Sequence, residues 1–241
     1  MDLKELENGV DPTTHWYYQS KKLPLLRFAE GLVAAGRPLT VVDIGSGSGF
    51  FALELEEKFG DGIAKIYLVD TGYSEEEMAA TRGQKIEKVH AIPARIENGL
   101  VVLMDVLEHL EDDRAMLESV KAACVGEHNY FFITVPAFQS LWSGHDVFLG
   151  HYRRYRIPRL RGVLQAAGFR RIRNYYLYGG LFPLIWGVRQ LNNLRGQEAA
   201  SNMRPFSTLT NKILLGLTSV EMKIAPANKL AGVTCVAEGQ I

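Results

Sequence analysis

The chain has 241 residues, 27 Lys plus Arg against 27 Asp plus Glu, and 47% apolar residues. That length suits one large domain with a sizeable core, and the apolar content excludes a disordered or collagen-like chain. The zero net charge hides a division: residues 1–146 carry 13 basic and 24 acidic side chains, a net of −11, whereas residues 147–241 carry 14 and 3, a net of +11. Cys124 and Cys235 sit in no metal-ligand spacing and are too few for a disulfide framework, which points to a reducing, cytoplasmic setting. No basic n-region followed by an apolar stretch opens the sequence, so no signal peptide is expected. The longest uncharged run, Asn174 to Val188, has 15 residues and is broken by Gly179, Gly180 and Pro183. Crossing a bilayer takes about 20 apolar residues.

In chain order, Leu25, Leu26, Ala29, Leu32 and Val33 mark one helix face that Gly36 stops, so residues 1–36 read as an N-terminal helical cap. Strand Pro38–Ile44 runs into a glycine-rich turn and a helix from Phe50 to Phe59. The alternation goes on with strand Ala64–Val69, helix Glu75–Thr81, a weak strand Ile86–Ile92, strand Leu100–Met104, helix Asp112–Ala123 and strand Tyr130–Val135. Repeated βα units imply an α/β fold with a parallel sheet covered on both faces. Pro158 then starts a helix that Gly168 ends, a strand follows from Arg171 to Tyr178, and Gly232–Ala237 is the last strand. Residues 179–230 form an insertion between the last two strands, with helices at Leu181–Leu194 and around Leu209, Ile213, Leu214, Leu217 and Val220.

In Asp43-Ile44-Gly45-Ser46-Gly47-Ser48-Gly49-Phe50, glycines alternate where a backbone turns sharply under a ligand and leaves no room for Cβ atoms. A dinucleotide fingerprint needs glycine where Phe50 stands, which argues against a nicotinamide or flavin cofactor. Asp43 suits an ammonium group, and the strand-ending Asp70 suits a pair of ribose hydroxyls.

With Leu103-Met104-Asp105-Val106-Leu107-Glu108-His109-Leu110, these features cover residues 40 to about 135 in order and resemble the class I S-adenosylmethionine-dependent methyltransferases. The resemblance implies a Rossmann-like, seven-stranded, mostly parallel sheet with a reversed last strand. It also implies S-adenosyl-L-methionine as cofactor, contacted by Gly45, Gly47, Asp70, Asp105 and Val106. Asp43, Ser46, Gly49 and Phe50 complete the expected cradle, and backbone near Ala94 is expected to meet the adenine, since His90 to Arg95 lacks the acid many relatives carry there. Asp105-x-x-Glu108-His109 is also similar to the E-x-x-E-H arrangement with which ubiquinone-pathway and small-RNA O-methyltransferases hold a divalent metal. Asp105 is shorter than the glutamate it replaces and is expected to face the cofactor, so no metal is expected; Glu108 and His109 are the residues that would carry one.

Methyl transfer to a hydroxyl or amine needs an aligned acceptor and a base. His109 beyond the fourth strand, and His145 and His151 beyond the fifth, sit on the carboxyl edge where open α/β folds bind ligands, and are the candidate bases. The segment from Ser143 to Tyr155, with His15-Trp16-Tyr17-Tyr18, looks like a bacterial and archaeal subgroup thought to act on glycans or lipid-linked intermediates. Tyr18, Asp146, Tyr152 and Arg153 are its expected acceptor contacts.

No acid occurs between Val147 and Gln197, while ten arginines do: Arg153, Arg154, Arg156, Arg159, Arg161, Arg170, Arg171, Arg173, Arg189 and Arg195. Beside apolar helices, they suit a small or lipid-linked anionic acceptor and peripheral membrane contact. The apolar insertion packs on the core, closes as a lid, joins an oligomer or rests on a membrane surface. The leading expectation is S-adenosylmethionine-dependent methyl transfer to such an acceptor, with no DNA partner. An RNA methyltransferase and a non-catalytic cofactor-binding or assembly protein are the alternatives.

Overall fold

The computed structural model describes residues 9–194 and 205–241. Residues 1–8 of the cap and 195–204 of the insertion, Arg195 among them, lie outside the described residues. The chain runs α1 (Trp16–Val33), β1 (Leu39–Ile44), α2 (Phe50–Phe59), β2 (Ile63–Val69), α3 (Glu75–Thr81), β3 (Ile86–Val89), β4 (Gly99–Met104), α4 (Asp113–Ala123), β5 (Tyr130–Pro136), α5 (Gly144–Leu149), α6 (Ile157–Ala166), β6 (Arg170–Leu177), α7 (Phe182–Leu194), α8 (Thr208–Ile224) and β7 (Thr234–Gln240). The seven strands form one sheet in the order β3-β2-β1-β4-β5-β7-β6, and only β7 is antiparallel to its neighbours. The mostly parallel sheet with a reversed last strand is therefore present.

The central strands are buried on both sides, and their period of two divides the core in two. Val101 and Leu103 of β4 face Leu117 and Val120 of α4 and Leu160 and Leu164 of α6. Leu100, Val102 and Met104 join Leu25 and Ala29 of α1, Leu55 of α2 and Met222 of α8. Some boundaries differ from the sequence reading. The weak third strand stops at Val89, and the segment after β5 contains the short helix α5, which the polar run Ser143–Asp146 had concealed. The last strand runs from Thr234 to Gln240, later than Gly232–Ala237, because Gly232 is spent on a close approach: a Cβ there would lie 2.2 Å from the Leu177 carbonyl oxygen.

The insertion leaves β6 through Tyr178, crosses the carboxyl edge as α7, and returns as α8 against α1. Among the described residues, no helix is long and apolar enough to cross a membrane.

Two glycines of this region predict opposite effects. Gly232→Ala forces β7 away from β6 and is expected to destabilise by about 2 kcal/mol or more. Gly216→Ala, in α8 with nothing within 4 Å of the new Cβ, is expected to stabilise by about 0.5–1 kcal/mol. Paired thermal melts check both signs.

Candidate active site

Three strands end in the same unusual way. Asp105 after β4, Phe138 after β5 and Tyr178 after β6 have φ of 57°, 56° and 61°, a left-handed conformation that non-glycine residues seldom adopt. All three lie on the carboxyl edge of the sheet, and such strain persists only where the surroundings impose it.

The glycine turn follows β1 on this edge, beside the switch point where β2 and β4 flank β1 on opposite sides. Gly45 has φ 67°, and a Cβ on it would lie 2.7 Å from Cγ2 of Val106; Gly49 has φ 78° and would meet Leu68 at 2.9 Å. Asp70 receives the Gly47 amide on one carboxylate oxygen and the Gly72 amide on the other, both at 2.9 Å. Tyr73 secures the far side by donating to the Gly47 carbonyl at 2.7 Å, with its hydroxyl 2.8 Å from Ser46 Oγ. Asp43 is buried beneath the turn, and Phe50 opens α2. Ala94 is exposed in the connection between β3 and β4. Gly45, Ser46, Gly47, Gly49, Asp70 and Val106 are thus gathered around one turn whose backbone has no room for side chains, which suits a nucleoside-bearing cofactor lying against it.

Next to this turn, Asp105 lines a cavity of about 180 Å³ together with Trp16, Tyr17, Glu108, His145, His151, Arg154, Tyr178, Ile185 and Arg189. Thr134 Oγ1 donates to Asp105 at 2.9 Å, and the Lys21 ammonium, 1% exposed, forms an ion pair with it. Burial favours protonation of Asp105, but Lys21 outweighs it and holds the carboxyl below its ordinary range. Tyr17 accepts from Lys21 at 2.9 Å.

A second buried carboxylate organises the opposite wall. Asp146 accepts from Arg154 Nε at 2.7 Å, Arg154 Nη2 at 3.0 Å, His151 Nδ1 at 2.9 Å and the Ser143 amide at 2.9 Å. Burial opposes ionisation, yet His151 and the Arg154 guanidinium keep it well below the carboxylate range. With Nδ1–H donated to Asp146, the lone pair of His151 is on Nε2, which is buried and has no hydrogen-bond partner. Both oxygens of the fully buried Glu108 and the indole Nε1 of Trp16 are likewise unpartnered. All three residues line the same cavity. Burial first, and then the neighbouring Asp105, raise Glu108 well above the ordinary carboxylic range and favour its neutral form.

His109 and His145 are each pushed down to about 4, His109 by burial and His151, His145 by burial and Arg189. His145 lines the cavity, whereas His109 lies edge-on to His151 with ring centroids 4.6 Å apart. One ligand atom each from Glu108, His109 and His151 lie within 4.8 Å of one another. Asp105 is not part of that group and pairs with Lys21.

Of the expected acceptor contacts, Tyr18 is buried beside Phe50 and Phe51, and it is Tyr17 that lines the cavity. Tyr152 is 56% exposed, Arg153 pairs with Asp113 and the Glu111 carbonyl, and Asp146 acts through Arg154 and His151. Lys21, Arg154, Arg189 and Tyr178 were not singled out as site residues. For Lys21 the sequence held a signal: a cation at i+3 from Tyr18 and i−4 from Leu25 lies on the apolar stripe of α1.

A family model described as a methyltransferase domain matches residues 15–174. The chain belongs to this methyltransferase family. It is an enzyme, and its cofactor is S-adenosylmethionine. No curated protein matches the sequence. Among solved structures, the chain is similar to the Haloferax volcanii methyltransferase in complex with the Trm112 methyltransferase activator, with 16% identity, 99% of this chain and 94% of that one covered, and a TM-score of 0.54. It is also similar to a Haemonchus contortus phosphoethanolamine N-methyltransferase, with 13% identity, 85% and 49% covered, and a TM-score of 0.50; the chain spans about half the length of that protein. At such identities the likeness concerns the fold.

Two predictions test the site. Gly45→Ala, strained by its φ and crowded by Val106, is expected to weaken S-adenosylmethionine binding about tenfold or more in calorimetry. For Glu108, the native state retains a proton that the unfolded chain releases above about 4.5, so its contribution to stability falls as pH rises through that window. Glu108→Gln cannot ionise and is expected to raise Tm at pH 8 by about 2–4 °C, with the difference disappearing below pH 4.5. A pH-independent difference would contradict this assignment.

Proposed function

We propose that this methyltransferase acts on a hydroxyl, or on an amine, of a small or lipid-linked anionic acceptor such as a glycan, with His151 as the general base. The observation that carries the reading is the buried, unpartnered Nε2 of His151 on the cavity wall, its tautomer set by Asp146.

Bound against the glycine turn, S-adenosylmethionine supplies an electrophilic methyl group. Gly45, Gly47 and Asp70 would hold it. The chain's remaining work is to align the acceptor, exclude water and remove a proton. His151 Nε2 takes the acceptor's proton as its oxygen or nitrogen becomes nucleophilic, and the adjacent Asp146 carboxylate stabilises the imidazolium that forms. His145, neutral at pH 7, is the second candidate base on the same wall. Glu108, whose neutral form burial favours, and the Trp16 indole are the unpartnered groups that would donate hydrogen bonds to the acceptor.

Charge supports an anionic acceptor. On one wall Lys21 and Asp105 cancel. On the other, Arg154 and Arg189 share the single carboxylate of Asp146, leaving one net positive charge. Arg189 is lowered to about 10 by burial and Arg154, so it remains cationic at neutral pH. A cavity of about 180 Å³ suits a small acceptor group better than an RNA strand, which is read along an extended basic track. The free Cys124 and Cys235 accord with a cytoplasmic setting, and α7 and α8 with contact to a bilayer surface.

His151→Ala is expected to lower kcat about 100-fold while leaving S-adenosylmethionine affinity unchanged. Turnover assays over a panel of anionic and neutral sugar and lipid-linked acceptors, paired with calorimetry, read both quantities. Full activity in the variant would remove His151 as the base. Loss of activity on chelation, restored by a divalent cation, would instead favour a metal on Glu108, His109 and His151. Cofactor binding without turnover on any acceptor would favour the non-catalytic alternative.

A further inference from the structure

Two helices of the insertion present apolar residues on the wrong side for a solvated protein. Along α8, Leu209, Ile213, Leu217, Val220 and Ile224 are 54–69% exposed. They fall at i, i+4, i+8, i+11 and i+15, a single stripe about 23 Å long on the face opposite the buried Thr218 and Met222. On α7, Leu184, Val188 and Leu191 at i, i+4 and i+7 are 48–67% exposed, and none of its residues is fully buried. Scattered apolar side chains on a surface are ordinary; two contiguous stripes mark something that covers them.

The charges distinguish a bilayer from a second copy of the chain. Lys212 and Lys223 flank the α8 stripe, each three residues after one of its members and both exposed. The acid among the described residues of α7 and α8 is Glu221, and it is turned inward, accepting a hydrogen bond from the Gly179 amide. A face bearing cations at its border and no outward acid repels a copy of itself across a two-fold axis. The same face is complementary to anionic headgroups, with the stripe at the depth of the acyl chains and the lysines at the phosphates. The other flank of α7 adds continuity with the site: Leu181, Ile185 and Arg189 line the cavity while Leu184, Val188 and Leu191 face outward.

We propose that the outward faces of α7 and α8 dock the enzyme on an anionic bilayer surface, so that α7 separates the lipid from the cavity and a lipid-borne acceptor reaches the site past it. Docking rests on the helix faces alone; delivery of the acceptor rests in addition on the methyl-transfer reading above.

The test is co-sedimentation of the full chain with vesicles of phosphatidylcholine alone or with 30% phosphatidylglycerol, a composition chosen to give about −30 mV or more at the surface. Binding to the anionic vesicles is expected, falling about fivefold for each of Lys212→Gln and Lys223→Gln, and tenfold or more for Ile213→Asp/Leu217→Asp. These side chains are exposed, so Tm and S-adenosylmethionine affinity should not change. Equal binding by the variants, or no binding by the parent chain, overturns docking. Light scattering that shows a dimer dissociated by Ile213→Asp/Leu217→Asp overturns it in favour of a second copy. Vesicle binding with no turnover on any lipid-linked acceptor leaves docking standing and removes the delivery step.

Discussion

One wall of the cavity beside the glycine turn depends on a single carboxylate. Asp146 is fully buried and gathers Arg154, His151 and the Ser143 amide on its two oxygens, with Arg189 3.8 Å away. Removing a buried carboxylate from such a set leaves an unpaired cation, which costs about 3–5 kcal/mol, so the arrangement is all or none. It fixes the tautomer of His151 and the plane of Arg154. Two hydrogen bonds tie the same loop to the stretch after β4: the Tyr152 amide donates to the Glu108 carbonyl at 2.8 Å, and the Tyr155 hydroxyl donates to the Asp113 carboxylate at 2.6 Å. The loop that follows β5 is thereby held against the segment that follows β4.

That segment also meets the glycine turn. Val106 packs against Gly45, while its neighbour Asp105 lines the cavity and meets Lys21 of α1. Two adjacent residues therefore serve different places, one the glycine turn and the other the cavity. A residue in the left-handed region reverses the chain within a single position, which is how Asp105 and Val106 come to point apart; the strain of about 1–3 kcal/mol is offset by the bonds from Lys21 and Thr134. The same device at Phe138 and Tyr178 turns the chain off β5 and β6 toward the cavity. Positioning is thus achieved by backbone at strand ends and by buried charge between them.

The sequence disclosed the frame better than the walls. The alternating βα pattern and the spacing of Gly45, Gly47 and Gly49 before the strand-ending Asp70 are local signals, and they located the sheet and the tight turn at the end of its first strand. The reversed strand β7 was expected from the family resemblance rather than from any pattern in Thr234–Gln240. Histidines were legible as candidates, since position after a strand implies the carboxyl edge. Their ranking was not, because it depends on Asp146 meeting His151 and Arg154 within one folded loop. That Tyr17 lines the cavity while Tyr18 packs beside Phe50 and Phe51 is a matter of helix phase, which a shift of one residue reverses. Lys21 was visible as a cation on an apolar stripe, but its partner lies 84 residues away, and no local pattern supplies such a pairing.

The division of charge in the sequence acquires a physical sense in the fold, though a different one from a simple split between cofactor and acceptor halves. The carboxyl groups at the site are each answered locally: Asp105 by Lys21, Asp146 by Arg154 and His151, and Glu108 by the burial that favours its neutral form. An acceptor entering the cavity therefore meets no free negative charge, even though three carboxyl groups stand around it, and the surplus belongs to Arg189. Since α7 carries Arg189 inward and an apolar stripe outward, the helix that completes the cationic wall is also the one that meets the surroundings. The field that would select the acceptor and the surface that would present it are two faces of the same thirteen residues.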